Sequence, residues 1–94
     1  MSRNIVIIPT YNEKENVEEM IRKVFSLDFK TEVLIVDDNS PDGTADIVRK
    51  LQSEYNELHL LNRTEKAGLG AAYLDAFKWC LERGYEYIFE MDCD

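Results

Sequence analysis

Two short runs, Ile5-Val6-Ile7-Ile8 and Val33-Leu34-Ile35-Val36, carry no polar side chain at any position. A strand with one face in water alternates apolar and polar residues. One that is apolar throughout needs both faces covered, which is the condition of a strand inside a parallel sheet with helices on either side. Each run stops at polar turn chemistry. The first ends at Pro9, which cannot continue a central ladder, followed by Thr10-Tyr11-Asn12. The second opens into Asp37-Asp38-Asn39-Ser40-Pro41-Asp42-Gly43-Thr44, a dense cluster of turn and cap residues.

The segments between fit helices. Val17, Met20, Ile21, Val24 and Phe25 recur at helical spacing, so a first helix is expected from about Glu13 to Leu27, with Asn12 and Glu15 spaced as a capping box. Its acids come early and its bases late, as the helix dipole favours. Ala45, Val48, Leu51 and Tyr55 mark a second helix from about Thr44 to Tyr55. Leu58 to Leu61 reads as a third strand, with His59 exposed on a sheet edge. A basic, glycine-containing turn from Arg63 to Gly70 leads into a third helix striped by Leu69, Ala72, Tyr73, Ala76, Phe77 and Cys80, with Gly84 as its stop. Trp79 and the nearby tyrosines read as core. Tyr87 to Met91 is the fourth strand.

Strand and helix alternate to the end, which implies an α/β, Rossmann-like parallel sheet of about four strands with helices on both faces. Right-handed crossovers give the strand order 3-2-1-4. Ligands bind such sheets at the carboxyl ends of the strands, where the order reverses, here between strands one and four. That rule gathers the loop from Pro9 to Glu13, the acids after strand four, and Asp37 and Asp38 along one edge.

Ninety-four residues form at most one small domain. A net charge of -8, with the eleven Lys and Arg scattered, excludes general nucleic-acid binding. Cys80 and Cys93 lack metal-ligand or redox spacing and read as reduced core thiols, which fits the cytoplasm. No stretch has the length of a membrane-spanning helix, and the apolar run near the N-terminus is too short for a signal peptide. A soluble or peripheral protein is expected.

Asp92 and Asp94 share a strand face by period-2 geometry, with Cys93 turned the other way. Two such acids suit a hard divalent cation that takes its remaining ligands from water and substrate phosphate. Alone, the pair could equally be a solvated acidic terminus. Gly68-Leu69-Gly70 lacks the third glycine and the acid of a dinucleotide fingerprint, and no P-loop motif is present. The Asp37-Asp38 pair follows strand two, whereas phosphoryl-accepting receiver domains carry theirs after strand one. Asn39, Ser40 and Asp42 suit caps for the next helix.

Pro9-Thr10-Tyr11-Asn12-Glu13-Lys14-Glu15-Asn16, Val36-Asp37-Asp38-Asn39-Ser40-Pro41-Asp42-Gly43-Thr44-Ala45-Asp46, Lys66-Ala67-Gly68-Leu69-Gly70-Ala71-Ala72-Tyr73 and Met91-Asp92-Cys93-Asp94 together resemble the motifs of family 2 glycosyltransferases. More narrowly, they resemble the polyprenol-phosphate (dolichol-phosphate) mannosyltransferase branch. The four motifs stand in the family's order and cover nearly the whole chain. The resemblance implies that Pro9, Tyr11 and Glu13 hold the base and ribose of a nucleotide sugar, and that Val36 and Asp38 contact the base. It also implies that Asp92, Cys93 and Asp94 form the Asp-x-Asp motif, whose acids bind Mg²⁺ or Mn²⁺ on the donor diphosphate. Cys93 replaces the commoner alanine or glycine there.

By the same resemblance, residues 1–94 form the nucleotide-sugar (donor) binding, N-terminal half of a GT-A type fold, with the acceptor half and any catalytic base lying beyond it. The parent enzyme would transfer mannose from GDP-mannose to a polyprenyl phosphate at the cytoplasmic face of a membrane. The piece itself would lack turnover, and its two terminal acids would be mobile and bind metal weakly. Two rivals stand beside this reading. One is a non-enzymatic nucleotide-binding or assembly module that self-associates through the exposed edge of strand four. The other is a nucleotidyltransferase half, which would carry a glycine-rich basic loop where this chain has Pro9 to Glu13.

Overall fold

The computed structural model describes residues 3–64 and 69–93, with Leu69 for its backbone alone. The elements run β1 (Asn4–Thr10), α1 (Val17–Phe25), β2 (Glu32–Asp37), α2 (Thr44–Leu51), β3 (Leu58–Asn62), α3 (Leu69–Glu82) and β4 (Tyr87–Glu90). All strand pairs are parallel and the sheet order is β3-β2-β1-β4, as expected.

Alternation along β1 and β2 builds two cores from one sheet. Val6, Ile8, Val33 and Ile35 face α1 and α2, meeting Val17, Ile21, Val24 and Val48. Ile5, Ile7, Leu34 and Val36 face the other way, onto Ala72, Ala76 and Cys80 of α3. All eight of these strand residues are 0% exposed, so the uninterrupted apolar runs reflect two-sided burial. Small residues on α3 let its backbone lie close to the sheet. Burial pushes the Cys80 thiol up to about 11, which keeps it protonated and inert.

Three expectations need correction. α1 starts at Val17 because the chain from Asn12 to Asn16 forms a separate turn; Asn12 is left-handed (φ 55) and the Asn12–Glu15 capping box does not form. Instead the N–H groups of Asn12, Glu13 and Lys14 donate to Ser40 Oγ (2.9 Å), Thr44 Oγ1 (3.0 Å) and Asp42 Oδ2 (3.2 Å) of the next loop. Second, the helices expected on both faces of the sheet do not cover both faces of β4. Tyr87 (54%) and Phe89 (46%) are exposed, because the helices pack over β1, β2 and β3 and leave this edge strand uncovered. Phe29 alone among the described aromatic rings reaches Phe89, edge-on at 6.5 Å.

Third, His59 is not a solvent-exposed edge residue. Its ring is half-buried beside Trp79 (5.2 Å), and Nε2 lies 2.8 Å from Glu32 Oε1. The Tyr85 hydroxyl donates to the same oxygen (2.7 Å), while Arg3 donates to Oε2 (3.2 Å). Glu32 thus ties β1, β2, β3 and the α3–β4 turn together at the amino end of the sheet. That turn is a Schellman motif: Gly84 takes φ 78, its N–H donates to Leu81 O, and Tyr85 N–H reaches back to Cys80 O. The predicted glycine stop therefore forms as expected.

Burial opposes ionisation of Glu32, but hydrogen bonds from His59, Tyr85 and Arg3 together outweigh it and hold the carboxyl below its usual range. Burial, and then the bond to Glu32, raise the Tyr85 hydroxyl to about 12. A depressed folded-state pKa stabilises above the unfolded value and loses that contribution as pH falls through the folded one. Stability should therefore decline as pH drops below the ordinary glutamate value of 4.5. Glu32→Gln should be less stable at neutral pH and show a shallower acid decline, read from urea midpoints across a pH series.

Candidate functional site

The carboxyl edge of the sheet is organised by Asp37, the last residue of β2, which is 0% exposed. A buried carboxylate needs donors, and three converge on it. Thr10 Oγ1 donates to Oδ1 from the end of β1 (2.6 Å), Ser40 Oγ donates to the same oxygen (2.7 Å), and Ser40 N–H donates to Oδ2 (2.9 Å). Ser40 Oγ also accepts the N–H of Asn12. One carboxylate therefore fixes the loops after β1 and β2 against each other. The Asp38 N–H donation to Thr10 O (3.1 Å) adds to this lock.

Asp42 does the capping. Its Oδ1 accepts Thr44 N–H (3.1 Å) and the Thr44 hydroxyl (2.5 Å), where α2 begins after Gly43 in a left-handed conformation (φ 92). The Thr44 hydroxyl foremost, helped by the Lys14 and Thr44 N–H groups, outweighs the opposing effect of burial and holds the Asp42 carboxyl below its usual range. Ser40 and Asn39, also expected as caps, do other work: Ser40 serves Asp37, and left-handed Asn39 donates its amide to Thr64 O (3.3 Å).

The expected site residues fall as follows. Pro9 is half-buried at the end of β1, Tyr11 is exposed, and Glu13 is half-buried in the pinned turn. Val36 has no exposed side chain and belongs to the α3-side core. Asp38 is 6% exposed, and its Oδ1 accepts from Arg63 at 2.9 Å. After β4 the pleat continues as the sequence predicts. Asp92 is exposed, whereas Cys93 is buried on the α1 side, at a groove lined by Asn16, Glu19, Met20 and Lys23. Asp92 shares its side with Glu90. After burial, the charges of these two acids raise the hydroxyl of Tyr73 on α3. Asp94 and residues 65–68, which include Gly68, lie outside the described residues.

The strand ends thus bring the Tyr11–Glu13 turn, Asp38 and Asp92 to one edge, on β1, β2 and β4. Sequence reasoning missed Arg63, Thr10 and the internal role of Asp37. Arg63 was visible only as a basic residue in a turn and Thr10 only as a turn former, whereas Asp37 was expected on this edge with the converging acids but without its loop partners. The available donors fit part of a hard-cation shell. Asp92 presents carboxylate oxygen on an exposed edge, and among the described residues no group of three or more His, Cys, Asp or Glu is arranged to hold a metal alone. Such a cation would need phosphate and water to complete its shell.

The family model for glycosyl transferase family 2 matches residues 5–94. The polyprenol monophosphomannose synthase of Mycolicibacterium smegmatis is 47% identical over 93 residues, covering 98% of this chain and 35% of that protein. The chain therefore spans about a third of that relative's length. Among solved structures, the mannosyltransferase PcManGT from Pyrobaculum calidifontis, in complex with GDP-Man and Mn²⁺, superposes with a TM-score of 0.77 at 34% identity, covering 82% of this chain and 24% of that one. S. aureus TarS 1-349 in complex with UDP-GlcNAc gives 0.82 at 30% identity, covering 98% and 26%.

The Asp37 lock makes a separable prediction. Asp37→Ala strands the Thr10 and Ser40 donors and should cost about 2–4 kcal/mol, from losing several hydrogen bonds to a charged, buried acceptor. Asp42→Ala, in a half-buried cap, should cost less. Urea unfolding midpoints of the two variants check the order.

Proposed function

The chain belongs to glycosyl transferase family 2, and from that premise we propose that it is the donor-binding half of a polyprenyl-phosphate mannosyltransferase. One observation carries the reading. The Tyr11–Glu13 turn, Asp38 and Asp92 stand at the carboxyl ends of adjacent parallel strands, across the point where strand order reverses. The identities to a polyprenol monophosphomannose synthase and to a GDP-Man-bound mannosyltransferase support mannose as the sugar and GDP-mannose as the donor.

In this reading Pro9 and Tyr11 bound the base and ribose, and Glu13 accepts from ribose hydroxyls. Asp38 accepts from the N–H of the base, while the wholly buried Val36 supports it from beneath. Asp92 and Asp94 would hold Mg²⁺ or Mn²⁺, with Cys93 packing the turn between them into the α1-side core. When bound, the cation would neutralise negative charge on the nucleotide diphosphate. The acceptor, a polyprenyl phosphate, would be engaged at the cytoplasmic face of a membrane by parts of the protein outside residues 1–94. No described helix is long and apolar enough to cross a membrane. The exposed edge of β4 is present, but no observation supports self-association through it.

Calorimetric titration of the chain with GDP and Mn²⁺ should give metal-dependent binding without mannosyl transfer. Chelation of the metal should weaken that binding, and Asp92→Asn should weaken it by at least about tenfold, as loss of a ligand-shell contact does. A folded chain that takes up no nucleotide, with or without metal, would remove the proposal.

A further inference from the structure

Arg63 is the described cation most deeply placed at the carboxyl edge. Its side chain is 11% exposed and bridges two acids, donating through an Nη to Asp38 Oδ1 (2.9 Å) and forming an ion pair through Nε with Asp75 Oδ2 of α3 (3.0 Å). Its main chain is held as well, since Arg63 N–H donates to Asp37 O (2.8 Å), continuing the β2–β3 ladder past Asn62. Both ends of the residue are therefore fixed. Asp38, at 8% side-chain exposure, has in Arg63 the cationic partner that a buried carboxylate requires.

We propose that Arg63, braced by Asp75, is the positioning residue that orients Asp38 toward the nucleobase. The inference rests on the donor-pocket reading above and extends it to two residues that neither a motif nor that reading includes. The chemistry follows from the guanidinium fork, a rigid plane with donors pointing in different directions. One edge of the fork engages Asp38 and another engages α3, so the carboxylate is tied to the helix packed behind it. With Oδ1 engaged by Arg63, Oδ2, which accepts no hydrogen bond from the other described residues, would accept an N–H from the base. A carboxylate so held favours bases that present an N–H on the pairing edge, as guanine does at N1. Adenine presents an acceptor there and would be repelled. Lysine could keep the charge but cannot span both acids, because its ammonium lacks the planar fork.

The test compares the 94-residue chain with Arg63→Lys, Arg63→Ala and Asp75→Asn, titrating each with GDP and with ADP in the presence of Mn²⁺. Circular dichroism establishes folding. Arg63→Lys should weaken GDP binding by about tenfold and narrow the GDP-to-ADP preference, as removal of an orienting partner does. Asp75→Asn, at a half-exposed carboxylate away from the base, should produce a smaller shift in the same preference and become silent when combined with Arg63→Lys. Should Arg63→Ala fail to fold, the lysine and asparagine variants decide. A merely structural salt bridge would lower the melting temperature and leave base preference unchanged, and that result overturns the proposal while leaving the donor pocket standing. If the unsubstituted chain binds no nucleotide, the donor-pocket reading fails, and the positioning role fails with it.

Discussion

Asp37 sits wholly buried at the carboxyl end of the central strand pair, and the geometry of the candidate site depends on it. A carboxylate at such a position needs donors from several directions. Thr10 and Ser40 supply them from two different loops. Ser40 then holds the N–H of Asn12, Thr44 holds that of Glu13, and Asp42 holds that of Lys14. The turn that carries Tyr11 and Glu13 has little regular structure of its own, yet its backbone is fixed by side chains from the neighbouring loop. Preorganisation at this edge comes from polar groups that satisfy one another, in the arrangement by which rigid scaffolds position functional loops.

The two acids of the Asp37-Asp38 pair are divided by the pleat and by their partners. Asp37 is used internally, to lock loop to loop, and Asp38 is held by Arg63 from β3's end. The opposite edge of the sheet has its own polar centre in Glu32, which gathers Arg3, His59 and Tyr85. The apolar cores lie between these two polar ends, one on each face of β1 and β2. Loop geometry at the carboxyl edge and cohesion at the amino edge are thus controlled by separate residues.

β4 is the exception to two-sided burial. The α1-facing residues Tyr87 and Phe89 remain exposed, and the strand is paired on one side only, to β1. Its Ile88 packs toward the α3-side core and Met91 and Cys93 toward the other, so the strand is seated although its flank is open. That seating presents Asp92 outward on the same edge as Asp38, in a chain that spans about a third of its relative's length.

The sequence by itself determined the element order, the parallel sheet, the strand order and the edge on which polar residues gather. Each follows from short-range pattern: uninterrupted apolar runs, helical spacing, and turn residues such as Gly84 whose conformation few other residues adopt. Even the alternation at Asp92 and Cys93 was legible, because strand period is local geometry. Tertiary structure alone decided which polar residues meet. Neither Arg63 with Asp38 and Asp75, nor His59 with Glu32, nor Asp42 with Lys14 has a sequence spacing that announces a partner. The start of α1 at Val17 and the exposure of β4 were likewise settled by contacts across the fold. Periodicity reports which side of an element faces inward, but a hydrogen bond between loops forms only once the sheet has set those loops side by side.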